Sequence, residues 1–205
     1  MTLTLLHTSP AHVPTFAALR DRLAPGTPLR QEVREAWLDR ARAEGVTPAI
    51  EAELAAFVAG CDGTVICTCT TLGPAAEAAG AIRVDRPMMQ AAGRIGGRIV
   101  MVYTLESTVC ASLALLKGYL RTGSRIRPLD LTELWPLFEA GEIPRFHAAI
   151  AEAVQADVKR NGGDCIVLAQ ASMAGAGPLL RKGKGKVPVL ASPEMAMRLG
   201  LGLPV

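Results

Sequence analysis

The chain of 205 residues is poor in aromatics (4%), has three histidines, and carries almost no charge bias, with 22 Lys and Arg against 19 Asp and Glu. A net charge of +3 spread along the sequence leaves no electrostatic footprint for nucleic acid. No stretch reaches the ~18 uninterrupted apolar residues that a transmembrane helix requires. The N-terminus also lacks a basic segment followed by a long apolar core, so no secretory leader is expected. The cysteines are Cys61, Cys67, Cys69, Cys110 and Cys165. Their odd number and the absence of paired Cys-x-x-Cys sets argue against a disulfide framework, and so few histidines argue against a metal site. The expectation is a soluble cytoplasmic protein with reduced thiols, no metal and no membrane partner. The one basic cluster, Arg181-Lys-Gly-Lys-Gly-Lys186, reads as a solvated loop or as a phosphate contact.

Half of the residues are apolar, mostly Ala, Leu and Val, which suits helices packed closely on a sheet. The most informative stretch is Thr64-Val-Ile-Cys-Thr-Cys69-Thr-Thr71-Leu-Gly-Pro74. A β-branched apolar run leads into a thiol and two hydroxyls, and Gly73-Pro74 then opens a small-residue helix. The thiol is thereby placed at the carboxyl end of a strand, where ligands bind in open α/β sheets. A helix N-terminus beyond it would favour an anion and thiolate over thiol. The other reading of Cys69 is an ordinary core cysteine. The pattern recurs. Thr2 to Leu6 runs into His7-Thr8-Ser9-Pro10, Arg98 to Tyr103 into Thr104 and Thr108, and Asp164 to Ala169 into Gln170, Ser172 and Met173. A lone histidine at a strand end, as His7 is, reads first as a hydrogen-bonded structural residue. Between these runs, residues 31–43 and 47–59 are expected as helices after the punctuation of Pro25 to Pro28, with Thr47-Pro48 opening the second.

The βαβ alternation predicts an α/β fold with mostly parallel, helix-flanked sheets. A Gly-rich break near residues 93–97 divides it into two similar lobes, residues 1–96 joined by 188–205, and residues 97–187, with the site in the cleft between them. Over nearly its whole length the chain resembles the aspartate/glutamate/hydantoin racemase superfamily. Cys69-Thr70-Thr71 is similar to that family's Cys-Asn-Thr, and Thr104 with Thr108 to its Thr-x-x-x-Thr turn. Asp85-Arg-Pro-Met88 and Val187-Pro-Val-Leu-Ala-Ser192-Pro193 also resemble it. The resemblance implies a cofactor-independent enzyme, a homodimer, a small carboxylate substrate, and one thiol from each lobe. Here Gln170 stands where the second thiol is expected, and Cys165 lies five residues upstream, roughly 16 Å away at strand rise.

Racemisation needs a base on one face of the α-carbon and an acid on the other, and an amide is neither near neutral pH. The expected catalytic residues are therefore Cys69, as sole thiol, and Gln170. The expected substrate contacts are His7, Ser9, Thr70, Thr71, Thr104, Thr108, Ser172 and Met173. A protonated His7 beside Cys69 would lower the thiol pKa. Isomerisation, decarboxylation and cis–trans conversion all remain open on these residues. So does the other class, a non-catalytic small-carboxylate-binding protein on the same fold.

Overall fold

The computed structural model describes residues 2–181 and 187–205, and the chain divides into two compact units, residues 1–87 with 193–205, and residues 88–192. Apart from Arg181, the basic cluster lies outside the described residues. The first unit opens with β1 (Leu3–His7), α1 (Val13–Leu23), β2 (Leu29–Val33), α2 (Glu35–Glu44) and α3 (Pro48–Ala59). It continues through β3 (Thr64–Cys67), α4 (Gly73–Ala78) and β4 (Ile82–Arg83). The strands form one parallel sheet in the order β2-β1-β3-β4. β1 is buried along its whole length, as a central parallel strand covered on both faces must be. Leu6, Val65, Ile50, Leu54 and Leu72 pack into the core between the sheet and α3 and α4. The Thr47 side chain caps α3 by accepting from the Ile50 N–H at 3.4 Å, and Pro48 occupies its first turn.

The expected helix over residues 31–43 is corrected. Leu29–Val33 is an edge strand paired with β1, and the helix starts at Glu35. Among the described residues only one of its edges is paired, so the strand tolerates Arg30, Gln31 and Glu32, and no apolar alternation marks it in the sequence.

α5 (Arg86–Ile95) leads into the second unit, which takes in the chain from Met88. There follow β5 (Arg98–Tyr103), α6 (Val109–Lys117), β6 (Arg125–Asp130), α7 (Trp135–Glu139), α8 (Ile143–Asn161), β7 (Cys165–Leu168), α9 (Ala176–Arg181) and β8 (Val189–Ala191). The sheet order is β6-β5-β7-β8, again all parallel, so the second unit repeats the topology of the first. Phe146, Ile150 and Val154, on one face of α8, fill the core with Val100, Val102, Ile166 and Leu168. Gly97 turns into β5 at φ +74°, with its α-carbon against the Asp164 carboxylate, a position only glycine takes without strain. The last helix, α10 (Ser192–Gly200), returns to the first unit, where Gly200 lies against Ile66 and Leu3 and Glu194 pairs with Arg22 at 2.8 Å. Among the described residues no helix is long and apolar enough to cross a membrane.

Candidate active site

Each unit gathers its candidate residues where its two central strands end. In the first, β1 ends at His7 and β3 at Cys67, and the ladder runs one bond further, from the Thr68 N–H to the Leu6 carbonyl at 2.9 Å. Cys69 follows in the turn, 7% exposed. Four donors are directed at its sulfur: the Thr8 hydroxyl, the Leu72 and Thr71 N–H groups and the Thr71 hydroxyl. These hydrogen bonds favour thiolate, but burial outweighs them and pushes the Cys69 thiol above its ordinary pKa. The expected lowering by a helix N-terminus is therefore corrected. α4 is only six residues long, and desolvation dominates. Thr70 is buried beside the thiol, and its carbonyl accepts from the Gly73 N–H at 3.2 Å.

The expected help from a protonated His7 is corrected too. The ring is fully buried, with Nε2 at 3.0 Å from Gln31 Oε1 and Nδ1 at 2.8 Å from Thr68 Oγ1. The Gln31 oxygen only accepts, so Nε2 carries the proton, while the Thr68 hydroxyl lies within reach of both Nδ1 and the Leu6 carbonyl, at 3.1 Å, with one hydrogen between them. Burial lowers the pKa of His7, so the imidazole is neutral near pH 7. The residue facing the thiol is its neighbour Thr8, which sequence reasoning passed over. Ser9 uses its hydroxyl oxygen to accept from the Ala11 N–H at 3.3 Å, which caps the short turn Pro10–His12.

Beneath the thiol turn lies an ion pair. Arg83 donates to Asp85 through Nε at 3.0 Å and Nη2 at 2.9 Å, and their side chains are 5% and 0% exposed. The guanidinium rests against Gly73, where a Cβ would stand 3.0 Å from Nε, so the pair supports the start of α4 from below. Cys67 is fully buried, and burial pushes its thiol pKa up.

In the second unit the ladder likewise runs one bond past the strands, from the Ala169 N–H to the Val102 carbonyl at 3.0 Å. Gln170 then stands two residues beyond β7, as Cys69 stands two beyond β3, so it is the topological counterpart of the thiol. It is 5% exposed, and its Oε1 accepts from Thr104 N (2.7 Å), Thr104 Oγ1 (3.1 Å) and Leu105 N (3.1 Å). The Thr108 hydroxyl donates to the Leu105 carbonyl at 2.7 Å, closing the turn Glu106–Thr108. Ser172, 7% exposed, has a buried hydroxyl with no partner among the described residues. Its carbonyl accepts from His147 Nε2 at 2.8 Å, a contact no sequence motif announced. Met173 is fully buried in the hydrophobic core of the unit, which is sufficient to account for it.

All five cysteines are free, and burial pushes Cys165 up to about 12. Among the described residues no group of three His, Cys, Asp or Glu side chains could hold a metal ion.

No protein-family model matches the chain, and no curated protein matches it by sequence. Solved structures do match. Glutamate racemase from Francisella tularensis superposes with a TM-score of 0.73 at 10% identity, over 98% of this chain and 80% of that one. An aspartate racemase homologue from Pyrococcus horikoshii gives 0.67 at 11% identity, over 98% and 97% of the two chains. Allantoin racemase from Klebsiella pneumoniae gives 0.63 at 22% identity, over 99% and 89%. The chain has the fold shared by glutamate, aspartate and allantoin racemases.

Proposed function

We propose that this protein is a cofactor-independent isomerase or lyase of the aspartate/glutamate/hydantoin racemase superfamily, acting on a small carboxylate with Cys69 as its single catalytic thiol. The observation that carries the reading is the asymmetry between two equivalent positions. The turn after β3 holds a buried thiol faced by four donors, and the turn after β7 holds an amide. Symmetric two-thiol racemisation needs a proton-transferring group in both places, and an amide supplies none near neutral pH.

With its pKa raised by burial, Cys69 rests as the thiol, so proton delivery to a carbanion is the step it is best prepared for. In decarboxylation, the electron pair of the breaking C–C bond would pass into an enolate as CO₂ leaves. The S–H would then protonate the α-carbon on one face, and solvent would return the proton to sulfur. The hydroxyls of Thr8 and Thr71 and the N–H groups of Thr71 and Leu72 would hold the transient thiolate. Covalent addition of that thiolate to an activated alkene is the companion chemistry. A cytoplasmic setting belongs to the same proposal and is supported by five unpaired cysteines. Homodimerisation rests on the resemblance.

The test is an NMR incubation in D₂O with aspartate, glutamate, hydantoins, substituted malonates and maleate, for wild type and Cys69→Ala. Cys69-dependent deuterium at the α-carbon, loss of CO₂, or cis–trans conversion is expected with one of them. Saturable binding without any turnover, unchanged in Cys69→Ala, would make the protein a carboxylate binder and overturn the enzyme.

A further inference from the structure

We propose that Gln170 is a specificity-determining residue: its carboxamide, locked with the oxygen inward, presents a fixed pair of N–H donors to a carboxylate oxygen of the ligand. This rests on the reading above that the turn after β7 serves the substrate. The lock follows from three donors converging on one atom. Thr104 N, Thr104 Oγ1 and Leu105 N all lie within 3.1 Å of Gln170 Oε1. Two of them are backbone N–H groups that cannot reverse polarity, so the flipped amide would set donor against donor.

Two consequences follow. The consecutive N–H groups of Thr104 and Leu105 are consumed by the protein's own amide oxygen and are withdrawn from any ligand. In exchange both remaining amide hydrogens sit on Nε2, which has no hydrogen-bond partner among the described residues and, unlike the Ser172 hydroxyl, is not wholly enclosed. That hydroxyl is a second, independent polar group left unpartnered in the same turn. Unpaired donors in a nearly dry turn cost stability unless an acceptor completes them. The segment Gln170–Met173 contains no charge to compete for them. A carboxylate, with two oxygens to share among the donors, is the acceptor chemistry that fits. A cysteine at 170 would lack the reach to occupy the Thr104 and Leu105 donors, so the glutamine is a different device in the thiol's place.

The experiment uses the full chain, malonate as probe, and two variants. Gln170→Glu keeps an inward oxygen for the three donors but turns the outward N–H pair into a carboxylate oxygen. Gln170→Met removes both. Malonate is expected to shift the Gln170 side-chain amide resonances of the wild type. Gln170→Glu is expected to weaken malonate binding by about tenfold or more, while the Thr104 and Leu105 amides stay protected from hydrogen exchange. In Gln170→Met both the binding and the protection are lost. Malonate binding to Gln170→Glu within about twofold of wild type, with no amide shift in the wild type, overturns the assignment. Wild type that binds malonate with the shift but shows no Cys69-dependent chemistry overturns the enzyme and keeps the assignment. No malonate binding at millimolar concentration overturns the assignment, and the enzyme then stands or falls on the Cys69-dependent turnover of the other carboxylates.

Discussion

Replacing Asp85 by asparagine removes the negative charge from a pair whose members are 5% and 0% exposed, and takes from the buried Arg83 guanidinium the carboxylate it donates to through Nε and Nη2. Both charge-assisted bonds, at 3.0 and 2.9 Å, are lost or weakened, because the asparagine NH₂ cannot accept. Breaking a buried pair from one side costs about 3–5 kcal/mol, a large part of the ~5–15 kcal/mol that holds a typical domain folded. Burial raises the pKa of Asp85 even beside Arg83, so the attraction only partly offsets desolvation. The double replacement Arg83→Met with Asp85→Leu is therefore expected to lie within about 1–2 kcal/mol of wild type. Urea unfolding measures this. Trp37 reports the first unit once the second tryptophan is replaced in a Trp135→Phe background. The midpoint should fall with the slope unchanged. A loss below about 1 kcal/mol for Asp85→Asn, or a double variant as unstable as the single one, would refute the buried-pair argument. The guanidinium supports Gly73, so Asp85→Asn should also lower any Cys69-dependent turnover more than it lowers binding.

Burial lowers the pKa of His7, and burial and then His7 hold His12 at about 4. Below about 6.5 the unfolded chain binds protons that the folded one refuses, so stability is lost as pH falls from there towards 4. For His12 this loss is up to about 3 kcal/mol, and His12→Gln should flatten a urea-midpoint profile across that window. The buried thiols act in the opposite sense. Cys67, Cys69 and Cys165 all have raised pKa values, so their contribution is intact below about 8.5 and is lost as pH rises, which alkaline unfolding curves of Cys165→Ala would show as a smaller decline. With a chromogenic disulfide reagent at pH 8, exposed Cys110 should react first and half-buried Cys61 next, and Cys110→Ser should remove the fast phase. Gly93→Ala drives a Cβ into the backbone carbonyl of Tyr119 and should cost about 1–3 kcal/mol or more in a urea titration.

Much of the fold is written in local pattern. β5 is a run of Ile, Val and Met bounded by glycines and hydroxyls, and its limits at Arg98 and Tyr103 are the expected ones, because a strand covered on both faces has to be apolar throughout. β2 was not legible. Its residues Leu-Arg-Gln-Glu-Val run on into a helical stretch, and their strand conformation comes from pairing with β1.

For the site, sequence alone determined the strand-turn-helix plan and the placement of Cys69 and Gln170 in equivalent turns, because periodicity and turn residues act over a few neighbours. What those groups are was decided by tertiary structure. His7 is neutral because the folded unit buries its ring, and that desolvation outweighs the hydrogen bond to Gln31, 24 residues away, which favours the charged form. Cys69 is a raised thiol because desolvation by the packed unit exceeds the pull of four nearby donors. Gln170 is a one-sided donor because Thr104 and Leu105, some 66 residues earlier, meet its oxygen. Protonation and polarity are set by what surrounds a group in space, and those neighbours come together only when the chain folds.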